Sequence, residues 1–115
     1  IFKKYITIRQ DASQNEPFKI GFSDTQGWVA YALKEQLFVK WLDYYKDQTY
    51  PDMGSSVEIF TNRSMMEVES LAPLATLKPG DMTFHRERWQ LFKISSVAQD
   101  ESSVESMLKS VGIEK

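Results

Sequence analysis

The sequence predicts an all-β fold, an antiparallel β-sandwich with a short C-terminal helix. Three observations predict it. Seven stretches of strand length alternate or concentrate β-branched and aromatic residues. Polar, turn-forming clusters separate them. A helical stripe opened by a capping box comes after Gln99.

The chain has 115 residues, with 42% apolar and 13% aromatic content, which suits one core. Fourteen basic and sixteen acidic residues leave a net charge of −2, which argues against a nucleic-acid binder driven by phosphate neutralisation. No apolar run reaches membrane-spanning length, so no membrane partner is expected. Cysteine is absent, which removes disulfides and thiolate chemistry. The opening residues Ile1 to Ile8 already look like a strand, where termini normally fray; this suggests a piece of a longer protein. Residues 1–98 are expected to form the sandwich and 99–115 a helical tail. Nothing in the chain points to a compartment.

The elements follow in order. Residues 3–9 read as a strand through Tyr5, Ile6, Thr7 and Ile8. Gln10 to Pro17 is polar loop. Phe18, Ile20 and Phe22 alternate with Lys19 and Gly21, a half-buried strand. Residues 28–45 fit two structures: a helix on Val29, Leu33, Leu37 and Trp41, or a hairpin turning at Lys34, Glu35 and Gln36. Asp43 to Ser56 is loop. Val57 to Thr61 and Ser64 to Leu71 form a hairpin about Asn62 and Arg63. Pro79 and Gly80 suit a type II turn before a strand over 83–94. Ser102 and Glu105 match a capping box, and Val104, Met107, Leu108 and Val111 form the stripe of a helix over 102–111.

Glu58, Glu67 and Glu69 lie within strands, where carboxylates are depleted, so each faces water or lines a site. Glu67 and Glu69 share strand parity and therefore a face. The plainer reading has them on a solvated face, paired with Arg63, Arg86 or Arg88, and has Glu58 exposed. His85 is the sole histidine, and its neighbours Arg86 and Glu87 favour a surface role. No spacing of His, Cys or carboxylates fits a transition metal, and Asp52 alone is a weak calcium signal, so no cofactor is expected.

PFKIGF (17–22), GWVAY (27–31), QLFVK (36–40), VEIFTN (57–62), EVESLAPLATLKPGD (67–81) and ERWQLF (87–92) come in an order that resembles the C-terminal portion of an uncharacterised bacterial family related to galactose mutarotase. The YPD-M-G run at 50–54 fits the same pattern. The resemblance implies a supersandwich, of which this chain would supply somewhat under half, and makes residues 28–42 a hairpin. It also implies a carbohydrate ligand. Mutarotases use a glutamate as general base on the anomeric hydroxyl and a histidine as acid on the ring oxygen. The glutamate precedes a turn like Leu77 to Asp81, which makes Glu69 the candidate base. The paired histidines of mutarotases lie upstream of that point, whereas His85 lies downstream, so turnover is left open. Glu58, Glu67, Asp52 and Trp41 are the candidate sugar contacts, Trp41 by stacking on C–H faces. The rival reading is a non-catalytic structural or protein-interaction module. Exposed strand edges are expected to recruit a second copy or a missing N-terminal half.

Overall fold

Six strands and one C-terminal helix form among residues 1–113, which the computed structural model describes. The strands are β1 (Phe18–Phe22), β2 (Trp28–Leu33), β3 (Gln36–Leu42), β4 (Val57–Thr61), β5 (Met66–Ser70) and β6 (Glu87–Lys93); the helix spans Glu101–Ser110. They make two antiparallel three-stranded sheets, ordered β1-β4-β5 and β2-β3-β6. The all-β class with a short late helix is therefore observed. No described helix is long and apolar enough to cross a membrane.

Residues 28–42 form the hairpin. Leu37 and Val39 are buried two residues apart, a strand period that the helical reading cannot produce. Lys34 takes the left-handed conformation that the two-residue turn at Lys34 and Glu35 demands.

The expected strand over 3–9 does not form. Its polar groups find partners beside the late helix instead. The Lys4 backbone N–H donates to Glu101 and its ammonium meets Glu105 at 2.5 Å, while Arg9 donates to Gln99. β propensity is a fit to a pleated surface, and without a sheet neighbour it does not act alone. The same limit shortens the last strand. Residues 83–86 stay irregular, with Phe84 exposed, and pairing begins at Glu87.

The helix starts one residue early. Asp100, not Ser102, is the N-cap: its carboxylate accepts from the Ser103 N–H at 2.8 Å, and Ser103 Oγ accepts from the Asp100 N–H. The Ser103 backbone N–H, with help from its hydroxyl, holds the Asp100 carboxyl below its ordinary range. Val104 and Leu108 are buried, and Met107 and Val111 half-buried. Residues 114 and 115 of the expected tail lie outside the described residues.

The chain divides into two compact units. One comprises residues 1–9, 30–39 and 89 onward; Leu37, Val39, Ile94, Val104, Leu108 and Ile113 are its buried apolar side chains. The other comprises residues 10–29 and 40–88, with Leu42, Tyr50, Val57 and Ile59 buried. Burying a side chain such as Leu37 or Val57 stabilises by about 2 kcal/mol. The sheet β1-β4-β5 lies wholly in this second unit and positions the site.

Candidate functional site

The register of β1-β4-β5 sorts its residues onto two faces. Gly21 pairs with Glu58 and Lys19 with Phe60; Glu58 pairs in turn with Glu69, and Phe60 with Glu67. Side chains alternate along each strand. One face thus carries Ile20, Phe22, Val57, Ile59, Val68 and their neighbours, the apolar layer. The other gathers Lys19, Glu58, Glu67 and Glu69 around Gly21 and Phe60.

Glu58 and Glu69 stand directly opposite each other, an arrangement that like charges disfavour. Lys19 offsets the repulsion. Its ammonium lies 2.7 Å from Glu58 Oε2 and 4.0 Å from Glu69 Oε2. Glu58 is 4% exposed, so it is not the solvated position the sequence favoured. The hydrogen bond to Glu58 raises the Lys19 pKa above its ordinary 10.5, against an opposing desolvation; Lys19 stays protonated near neutrality and serves as a donor, not a base.

These groups border a cavity of about 410 Å³ lined by Lys19, Gly21, Asp52, Met53, Ser55 and Glu58. The loop over it is shaped by backbone geometry. Pro51–Gly54 closes one turn, with the Ser55 N–H donating to Pro51 O and Ser55 Oγ to Asp52 O. Asp52, Met53 and Gly54 all take positive φ (47°, 60° and 95°). Glycine does so readily and aspartate tolerates it, but Met53 does so at a cost of about 1 kcal/mol. The turn brings Asp52 to the cavity wall and leaves Met53 fully exposed on its rim. Beneath it, Gly21 is needed for space: a Cβ there would run into Ser55 Oγ and come within 3.3 Å of Glu58 Oε1.

Of the residues singled out in the sequence, Glu58 and Asp52 line the cavity, and Glu69 joins it through Lys19. Glu67 shares the face but lies beyond the lining. Trp41 stands on β3, 6.4 Å from Trp28, with the Arg88 guanidinium 4.9 Å above its ring. That indole face is therefore covered by a cation.

A second polar cluster occupies the other side of β5. Ser70 alternates with Glu69 and points to the opposite face. Its hydroxyl lies 2.7 Å from His85 Nε2 and donates to the Glu87 carboxylate in a short contact. Lys40, 12% exposed, approaches Glu87 Oε1 at 3.0 Å and donates to Val68 O. His85 thus lies across the sheet from Glu69 and does not face it over a shared ligand. Among the described residues no group of three or more His, Cys, Asp or Glu side chains is placed to hold a metal.

Lys19, Gly21 and Ser55 were not singled out in the sequence. Lys19 and Gly21 carried a signal, since both alternate with the apolar Phe18, Ile20 and Phe22. What could not be read was the pairing that sets them beside Glu58.

No family model matches this chain, and no curated protein or solved structure matches it either.

Proposed function

We propose that this chain carries a carbohydrate-binding site, on part of a mutarotase-like supersandwich. The observation that supports the reading is the cavity where Lys19, Glu58 and Asp52 converge, with Glu69 beside Lys19. A sugar ring presents adjacent hydroxyls, each both donor and acceptor. Carboxylates at Glu58 and Asp52 accept from them, and the Lys19 ammonium donates to them. The exposed thioether of Met53 gives apolar surface for the C–H face of a ring. The volume lies within the range of small-molecule pockets.

Binding, rather than turnover, is the function proposed. Epimerisation at the anomeric centre needs an acid and a base flanking one ring. Glu69 is the candidate base; Lys19 holds its proton too firmly to act as the acid, and His85 belongs to the opposite face.

The test is titration of the full chain with a panel of aldoses and short oligosaccharides, followed by NMR. Saturable shifts at Lys19, Gly21 and Glu58 are expected. Because charge-assisted hydrogen bonds are strong, Glu58→Gln and Lys19→Met should each weaken binding by about tenfold or more. A panel in which no sugar gives a saturable shift overturns the reading.

A further inference from the structure

We propose that the cavity beside Lys19 and Glu58 takes an amino sugar, with the protonated amine held among Asp52, Ser55 and Glu58 while the ring hydroxyls meet Lys19. The inference rests on the sugar reading and names the class of sugar.

Charge gives the first argument. Lys19 is the one cation lining the cavity, against the carboxylates of Asp52 and Glu58. Glu69 brings a third carboxylate to 4.0 Å from the same ammonium, which already lies 2.7 Å from Glu58 Oε2. A single lysine does not neutralise three acids, so the wall keeps an excess of negative charge. A neutral hexose gains nothing from that excess, whereas a ligand ammonium is drawn to it.

The hydrogen-bonding inventory gives the second. Glu58 is 4% exposed and meets Lys19 through Oε2. Among the described residues no hydrogen bond reaches its Oε1, and no fully enclosed side-chain oxygen or nitrogen lacks a partner; Oε1 therefore opens on the cavity that Glu58 lines. Ser55, 5% exposed, commits its hydroxyl proton to Asp52 O at 2.8 Å and presents lone pairs to the same space. These two oxygens converge, since both lie within 3.3 Å of the point that a Cβ on Gly21 would take. The Asp52 carboxylate borders the cavity and accepts no hydrogen bond from a described side chain.

This corner thus offers acceptors alone. A sugar hydroxyl brings one proton, together with lone pairs that find no donor there. An ammonium brings three protons and no lone pair. Its bonds to carboxylates are charge-assisted and about twice as strong as neutral ones. A sequestered carboxylate oxygen without a donor also carries a cost that a ligand N–H removes. Lys19 reaches the cavity from the solvent side, with its side chain 52% exposed, and its remaining protons serve the ring hydroxyls.

The test is NMR titration of the full chain with glucosamine, N-acetylglucosamine, glucose and methylammonium, at slightly acidic pH and constant ionic strength. Glucosamine should bind about tenfold or more tighter than either neutral sugar, with saturable shifts at Gly21, Asp52 and Ser55. The preference should shrink as salt shortens the screening length from about 10 Å at about 0.1 M to about 3 Å at about 1 M. Asp52→Asn removes one charge and keeps the shape, and asparagine tolerates the left-handed φ of 47° at that position. It should cut the ratio of glucosamine to glucose affinity by about fivefold. Glucose binding as tightly as glucosamine overturns this inference and leaves the sugar site standing. Methylammonium binding as tightly as glucosamine overturns the amino-sugar assignment, since the ring then adds nothing. An amine preference that Asp52→Asn leaves intact overturns the placement of the ammonium. Silence with glucosamine sinks the inference, and the sugar reading falls with it only when the whole aldose panel is silent too.

Discussion

The two faces of β5 hold the same chemistry in different settings. On one, Lys19 bridges Glu58 and Glu69 beside a cavity. On the other, Lys40 meets Glu87, whose carboxylate also takes the Ser70 hydroxyl that contacts His85. The difference lies in which partner is buried and what fills the space. At the first cluster the carboxylate is sequestered and the lysine reaches it from solvent, with its side chain 52% exposed. At the second both partners are largely enclosed and protein groups take up the hydrogen-bonding capacity. A charge enclosed with its partners holds structure together; a charge pair opening on a hollow can exchange a protein partner for a ligand. Residue type alone does not separate these roles, and access does.

The largest effect should come from the enclosed cluster. Lys40→Met leaves Glu87 without its ammonium and is expected to cost about 3 kcal/mol, read as a lower urea midpoint at constant slope. Lys19→Met strips the sequestered Glu58 of its cation opposite Glu69 and should lower that midpoint too, but by less, because the half-exposed Lys19 meets it from solvent. Equal losses from the two variants would erase the distinction between the clusters.

A smaller effect is expected at Gly21. Gly21→Ala forces a methyl against Ser55 and Glu58 and should cost about 1–3 kcal/mol by overpacking. It should also abolish sugar-dependent shifts at Lys19, since the methyl enters the cavity wall. Retained binding in a folded Gly21→Ala protein would show that the ligand does not use that wall.

The smallest effect is a titration. The raised Lys19 pKa means that its ion pair stabilises the fold fully below the ordinary lysine value of 10.5 and that this contribution fades as pH rises through the higher folded value. NMR of the Lys19 ε-methylene should accordingly show a midpoint above 10.5, and Glu58→Gln should bring it back toward that figure. An unchanged midpoint in the variant would mean that Glu58 is not the group holding the proton.

Much of the fold was legible because local pattern and tertiary setting agree. The alternation of Phe18, Ile20 and Phe22, and the hairpin about Asn62 and Arg63, became β1, β4 and β5. Residues 3–9 misled because their β propensity had no neighbour to act on, and their polar groups were claimed near the late helix. The helix cap slipped from Ser102 to Asp100 because the run Asp-Glu-Ser-Ser offers overlapping boxes, and the better acceptor took the start.

The site was legible only in pieces. Glu58, Glu69 and Asp52 stood out as carboxylates in unusual places. The meeting of Glu58 with Glu69 depends on a cross-strand register, which no local rule supplies. Lys19 looked like an ordinary outward residue until that register set it between two acids. The left-handed turn at 52–54 was hidden for a related reason, since only Gly54 announces positive φ.

That turn has a consequence for how such a hollow can change over time. Its shape is held by one main-chain bond from Ser55 to Pro51 and by the hydroxyl of the same residue, and the thioether of Met53 contributes nothing to the closure. Below it, any side chain larger than hydrogen at position 21 collides with its surroundings. Diversification is therefore channelled to the lip: the base of the hollow is fixed by sterics, and the overhanging position can trade one side chain for another, asparagine or glycine most readily, and so retune selectivity without rebuilding the scaffold.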